Sequence, residues 1–208
     1  MSSPANLLLA DLASSGVKQI PTSYIRPISD RPNLSDVQIS DVPIPLIDLH
    51  GLNGPNHSLI IKQISQACGN DGFFQVKNHG IPEEMIGEMW LNIVQVLEVL
   101  RNGKWIAVNP IPNTFIINIG DQMQVLSNDR YKSVLHRAVV NCNKERISIP
   151  TFYCPSKDAV IAPPKELIDD DHPAVYRDFT YGEYYERFWN RGLVKECCLD
   201  LFKASSDS

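Results

Sequence analysis

The chain has 208 residues, 43% of them hydrophobic and 21% charged, with a formal net charge of −5. Such a chain is long enough to bury a sizeable core. Its mild acidity, without any basic stripe, argues against nucleic-acid binding, and no apolar run approaches the ~20 residues that span a bilayer.

Residues 1–41 are polar and rich in Ser, Pro and Asp, and read as a surface arm. Leu7 to Ala10 is too short, unpreceded by basic residues and cut by Asp11, so it makes a poor secretory leader. Five scattered cysteines (Cys68, Cys142, Cys154, Cys197 and Cys198) lack metal-finger spacing. A reduced, cytoplasmic setting is the expectation.

Val42 to Leu49 carries prolines at 43 and 45, which restrict it to an edge or entry strand. Asn56 is a candidate cap for a helix whose apolar face holds Leu59, Ile60, Ile64 and Ala67. Gly72 to Val76 reads as a short aromatic strand ended by the turn Asn78-His79-Gly80. Pro82-Glu83-Glu84 opens another helix, expected to run through Met85, Met89 and Val96.

Asn102-Gly103, flanked by apolar pairs, predicts a type I′ hairpin. Thr114 to Ile119 is a β-rich run closed by Gly120-Asp121. Ser133–Val140 and Arg146–Tyr153 are expected to form a strand pair around the polar loop 141–145. Phe179 to Trp189 has helical spacing of Phe179, Tyr184 and Phe188, with Thr180 as its cap. The class that results is α+β.

His136 is the first candidate for chemistry. Strand alternation groups it with Val134, Ala138 and Val140 on an apolar interior face, opposite Ser133 and Arg137. A neutral imidazole there is suited to ligating a metal. The plainer alternative is a core histidine satisfied by one hydrogen bond. Arg146 and Ser148, two residues apart on one strand face, suit a carboxylate: a bidentate guanidinium and an extra hydroxyl donor. The plainer alternative is a solvent-facing pair. Asp169 to Asp171 lacks the alternating ligands and glycine of a calcium loop and reads as a solvated turn. Trp105 reads as a packing anchor.

Two blocks of sequence resemble the plant 2-oxoglutarate/Fe(II) oxygenases. The first holds Pro45 to Leu49 and Gly72-Phe73-Phe74-Gln75-Val76-Lys77-Asn78-His79-Gly80-Ile81-Pro82. The second holds Gly120-Asp121-Gln122, Ser127-Asn128, Tyr131-Lys132-Ser133, His136-Arg137-Ala138-Val139 and Arg146-Ile147-Ser148. Phe179 to Trp189 resembles the family's closing helix. Ser15-Gly16-Val17 and Tyr24-Ile25-Arg26-Pro27 are similar to its downy-mildew-resistance-type subgroup, whose members hydroxylate salicylate.

The resemblance implies an incomplete double-stranded β-helix, or jelly roll, with flanking helices. Residues 1–98 would be the N-terminal oxygenase region and 99–208 the C-terminal part of the catalytic domain. It also implies Fe(II) and 2-oxoglutarate as cofactors and a small phenolic, salicylate- or flavonoid-like substrate. By the same resemblance His136 is the distal histidine of the 2-His-1-carboxylate triad. Arg146 pairs with the 2-oxoglutarate carboxylate, Ser148 assists it, and His79 belongs to a structural turn.

The family's other two ligands come from a His-x-Asp motif, and no histidine here supplies one. His50, His57, His79, His136 and His172 are followed by Gly-Leu, Ser-Leu, Gly-Ile, Arg-Ala and Pro-Ala. The blocks abut near Trp90 to Val99, where the middle of the family domain is missing. The expectation is a chain deficient in catalysis on its own. The alternative is a non-catalytic binding protein that keeps only the carboxylate clamp. Exposed strand edges in a shortened barrel point to self-association.

Overall fold

Reversal of the chain at Asn102-Gly103 organises the largest sheet. Both residues adopt positive φ, 51° and 76°, as a type I′ turn requires. The turn joins β4 (Leu97–Arg101) to β5 (Lys104–Ala107) in antiparallel register, Val99 opposite Ile106. On the far side of β5, β1 (Val37–Gln38) adds in parallel. On the far side of β4, β7 (His136–Ala138) adds antiparallel, Val99 opposite His136. The computed structural model describes residues 37–38, 43–87, 97–139, 150–191 and 197–204, all within the unit Ser35–Ser208.

A second sheet has the order β2 (Leu46–Asp48), β3 (Phe73–Lys77), β6 (Phe115–Asn118). As the prolines dictate, β2 lies at its edge, and the Pro45 carbonyl still accepts the Gln75 amide at 2.7 Å. Strand β3 is covered on both faces. Phe74 and Val76 pack with Ile60, Ala67 and Cys68 of α1 (His57–Asn70). Phe73 points the other way, into a cluster with Ile44, Val99, Ile106 and Val108 that joins the two sheets. Gln75 shares that direction and is 2% exposed. Its amide donates to the Asn109 carbonyl and accepts from the Ile111 amide and the Thr114 hydroxyl, so burial leaves no polar atom unmet.

The third core lies toward the C-terminus. The sequence there forms α3 (Asp121–Leu126), the short pair β8 (Val160–Ile161) and β9 (Phe179–Thr180), α4 (Tyr181–Asn190) and a 3-10 helix (Cys198–Phe202). Val125, Tyr176, Phe179, Tyr184, Leu199 and Phe202 are buried together. Thr180 caps α4 by accepting the Glu183 amide at 3.1 Å. A short helix, α2 (Glu83–Gly87), begins with two acids at its positive end, as expected. Its expected continuation through Met89 and Val96 lies outside the described residues.

Three expectations need correction. Leu59 is 58% exposed, and the buried face of α1 uses Cys68 instead. Phe179 is on β9 rather than on the helix. Of the expected 146–153 strand, residues 146–149 lie outside the described residues, and Pro150 to Tyr153 carries no strand. The partner that β7 does have is β4. Pro150 offers no amide to a ladder, and Phe152 and Tyr153 are 79% and 104% exposed.

Candidate metal and cosubstrate site

His136 opens β7 and faces the same side as Val99 across the ladder. Its ring meets the Phe73 ring edge-on, with centroids 5.4 Å apart. Nδ1 lies 3.0 Å from the Val134 carbonyl oxygen. A carbonyl only accepts, so Nδ1 is the donor, and in a neutral ring Nε2 is the nitrogen with the lone pair. The side chain has the chemistry of a ligand and shares an apolar face with Val134, as the alternation predicts. It is nevertheless exposed, and so is Ala138. The expectation of an enclosed interior is corrected: the Phe73 ring contacts His136 on one side only, and the side chain stays exposed.

The opposite face of β7 holds an ion pair that sequence reading missed. Arg137 Nε donates to Glu98 Oε2 at 2.6 Å, and both side chains are mostly buried. The guanidinium also lies 3.8 Å from the Trp105 ring centroid. Trp105 is therefore a packing anchor. The two ion-pair partners are 39 positions apart, and no local pattern pairs them.

Two acids near the described strands and helices, Glu98 and Asp121, are held by other partners than His136. Glu98 faces away from His136 with Arg137. Asp121 accepts the Tyr184 hydroxyl at 2.8 Å, and burial followed by that neighbouring carboxylate pushes the Tyr184 hydroxyl well up from its ordinary value. His79 is structural: Nε2 faces the Asn113 carbonyl at 3.2 Å, and Nδ1 accepts the Ile81 amide. Asp169 accepts two backbone amides and the His172 ring in an exposed turn. Arg146 and Ser148 lie outside the described residues. Among the described residues, no group of three His, Cys, Asp or Glu side chains converges to hold a metal. No described helix is long and apolar enough to cross a membrane.

A cavity of about 680 Å³ lies between α4 and the 3-10 helix, walled by Glu183, Arg187, Arg191, Cys198 and Asp200. His136 does not line it.

Comparison with known proteins decides the family. The 2OG-Fe(II) oxygenase superfamily matches residues 85–155, and the N-terminal region described as non-haem dioxygenase in morphine synthesis matches residues 44–105. Protein DMR6-LIKE OXYGENASE 2 of Arabidopsis thaliana is 36% identical over 345 residues, covering 97% of this chain and 99% of the relative. The chain belongs to the 2OG-Fe(II) oxygenase family. Within the family it falls with the downy-mildew-resistance-type members.

That alignment covers 345 residues against the 208 of this chain, so a long stretch of the relative has no counterpart here. Flavanone 3-dioxygenase 2 of Oryza sativa subsp. japonica is 58% identical over 107 residues, 51% of this chain and 31% of that one. The crystal structure of JOX2 in complex with 2OG, Fe and JA has a TM-score of 0.78 at 22% identity, covering 98% of this chain and 99% of that chain. This likeness shows the fold, the family's jelly roll in incomplete form.

The family's cofactors are Fe(II) and 2-oxoglutarate. Non-haem iron of this kind is held by two histidines and a carboxylate on one face of the metal. Among the described residues, His136 belongs to no group of three His, Cys, Asp or Glu side chains that could hold the metal. That donor set does not fit tight Fe(II) binding.

Proposed function

We propose that the intact form of this oxygenase hydroxylates or desaturates a small phenolic compound, salicylate- or flavonoid-like, and that the 208-residue chain is catalytically deficient on its own. The substrate class is supported by the two relatives named above, an oxygenase of the downy-mildew-resistance type and a flavanone dioxygenase. The deficiency is carried by one observation: among the described residues His136 is not part of any set of three His, Cys, Asp or Glu side chains able to hold a metal.

In this reading residues 1–98 derive from the N-terminal oxygenase region and 99–208 from the C-terminal part of the catalytic domain. His136 is the surviving metal ligand. Arg146 and Ser148 are the surviving clamp for a carboxylate, the guanidinium pairing with both oxygens and the hydroxyl adding a donor.

Anaerobic calorimetry with Fe(II) and 2-oxoglutarate on the purified chain, with succinate release measured in the presence of salicylate, tests the reading. Millimolar or weaker Fe(II) binding and no succinate are expected. Stoichiometric, tight Fe(II) binding, with succinate formation abolished by His136→Ala, would overturn the deficiency. Weak 2-oxoglutarate binding that disappears in Arg146→Ala would favour the second reading, a non-catalytic carboxylate-binding protein. Self-association belongs to the same proposal. Leu46 and Phe115, on the outer strands β2 and β6, are 43% and 40% exposed, and unpaired edges invite a second copy.

A further inference from the structure

The stretch Ser127-Asn128-Asp129-Arg130-Tyr131-Lys132-Ser133 lies between α3 and the His136 strand, and the functional reading leaves it without a role. Its geometry is specific. Asn128 and Asp129 are successive residues at positive φ, 47° and 68°, and reverse the chain just after α3. The side chain of Asn128 then behaves as a strand neighbour. Its Oδ1 accepts the Val175 amide at 2.9 Å, and its Nδ2 donates to the Pro173 carbonyl at 3.0 Å.

Beside it lies a closed triangle. Gln124 Nε2 donates to Asp129 Oδ1 at 2.6 Å and to the Tyr176 hydroxyl at 2.9 Å, and that hydroxyl donates to Asp129 Oδ1 at 2.7 Å. The remaining atom of the Gln124 amide, Oε1, accepts the Ser133 amide at 2.7 Å. Tyr176 is 2% exposed and held from behind, since the backbone on either side of it pairs with Phe202 and Ala204. A turn that merely reversed the chain needs partners within a few residues. This one reaches 47 residues along the chain to a buried tyrosine.

From Ser133 the path to the imidazole is short. The next residue, Val134, supplies the carbonyl that orients His136 through Nδ1. The Lys132 amide is fixed on the Cys68 carbonyl at 3.0 Å. On the side of Gly72, a methyl group would stand 2.3 Å from the Lys132 oxygen and 2.5 Å from Val134.

We propose that Gln124, Asp129 and Tyr176 are positioning residues that tie the C-terminal segment Pro173–Arg177 to the start of the His136 strand and thereby set the place and tautomer of that imidazole. The inference takes its functional meaning from the reading of His136 as the family's ligand. Its test uses no metal, so the two can fail separately.

The experiment is 15N NMR on the full-length chain, reading the His136 ring nitrogens and amide exchange. In the wild-type protein His136 is expected as the Nδ1–H tautomer, with the Ser133 amide protected. Tyr176→Phe removes one hydroxyl and keeps the buried ring; Gln124→Ala removes the relay. Both are expected to give a mixed tautomer at His136 and roughly tenfold faster exchange at Ser133. The β3 amides of Phe74 and Val76 should keep their wild-type rates, and the control Tyr185→Phe should change none of these signals. If Gln124→Ala does not fold, Tyr176→Phe decides alone. Unchanged His136 and Ser133 signals, or equal acceleration at Phe74 and Val76, would overturn the proposal, the latter by reducing the triangle to general stability.

Discussion

Gly72 and Gly103 both sit at positive φ, 62° and 76°, and their surroundings separate two costs that a glycine can hide. A Cβ on Gly103 would meet nothing within 4 Å, so Gly103→Ala should cost only the left-handed backbone penalty of about 1–2 kcal/mol. A Cβ on Gly72 would strike the Lys132 carbonyl, a backbone atom that cannot rotate away, as well as Val134. Gly72→Ala therefore adds an overpacking term of about 1–3 kcal/mol to the same penalty. Urea unfolding should rank Gly72→Ala well below Gly103→Ala in stability; equal losses would mean that the contact between α1 and the residues leading into β7 relaxes freely. The sequence marks Gly103 as a turn residue by its Asn-Gly pair, whereas Gly72 reads as the first residue of an aromatic strand. Only the fold reveals that one of them is also a close-approach site. His136 has the same character. Its strand neighbours were legible, but its exposure depends on what closes over that face, which no local pattern contains.

At the level of elements, what could be read was what short-range rules determine. The hairpin at Asn102-Gly103, the strand 73–77 with its turn, the edge position of β2 and the capped closing helix all follow from residues within a few positions of one another. The pairing of β7 with β4 does not. It depends on contacts about 40 residues apart, and alternation in Ser133–Val140 says which side chains share a face without naming the neighbour. The Arg137–Glu98 pair supplies that specificity. Glu98 is 6% exposed and meets Arg137 beneath the Trp105 ring. Deleting one partner of a buried ion pair leaves the other charge uncompensated, at a cost of about 3–5 kcal/mol. Glu98→Ala should lose about that much, while Trp105→Leu should lose less, since a cation–π contact adds about 0.5–2 kcal/mol. Chemical denaturation of both variants checks the order. A Glu98→Ala chain as stable as wild type would show that β7 is held by its backbone ladder alone.

For the whole molecule, polar joints between elements add to the three buried clusters, and two of these joints are built on carboxylates. Asp48 connects the end of β2 to the turn after β3. Its Oδ1 accepts from the Asn78 amide group and the His50 backbone, and Lys77 sits 3.2 Å from Oδ2. The Asn78 bond first, then that from His50, holds its carboxyl down to about 2 from the ordinary 3.8. Asp129 joins α3 to the C-terminal core. Burial works against its ionisation, but hydrogen bonds from Lys132, Tyr176 and Gln124 outweigh burial and hold it below the ordinary range. A carboxyl whose folded pKa is depressed binds fewer protons folded than unfolded, so stability rises with pH through the interval between the two values. Both contributions are complete above about pH 5, where the unfolded carboxyl has ionised. That of Asp48 disappears as pH falls from 3.8 toward 2. Thermal unfolding followed from pH 6 to pH 2 should show a melting temperature that drops most steeply below pH 4. Asp48→Asn and Asp129→Asn should each lower stability at neutral pH and flatten that drop, and Asp129→Asn should also loosen the joint behind Ser133. A steep drop that survives in both variants would move the acid-labile joint to other carboxylates, with Asp169, also depressed and first of all by its hydrogen bond from His172, the next to substitute.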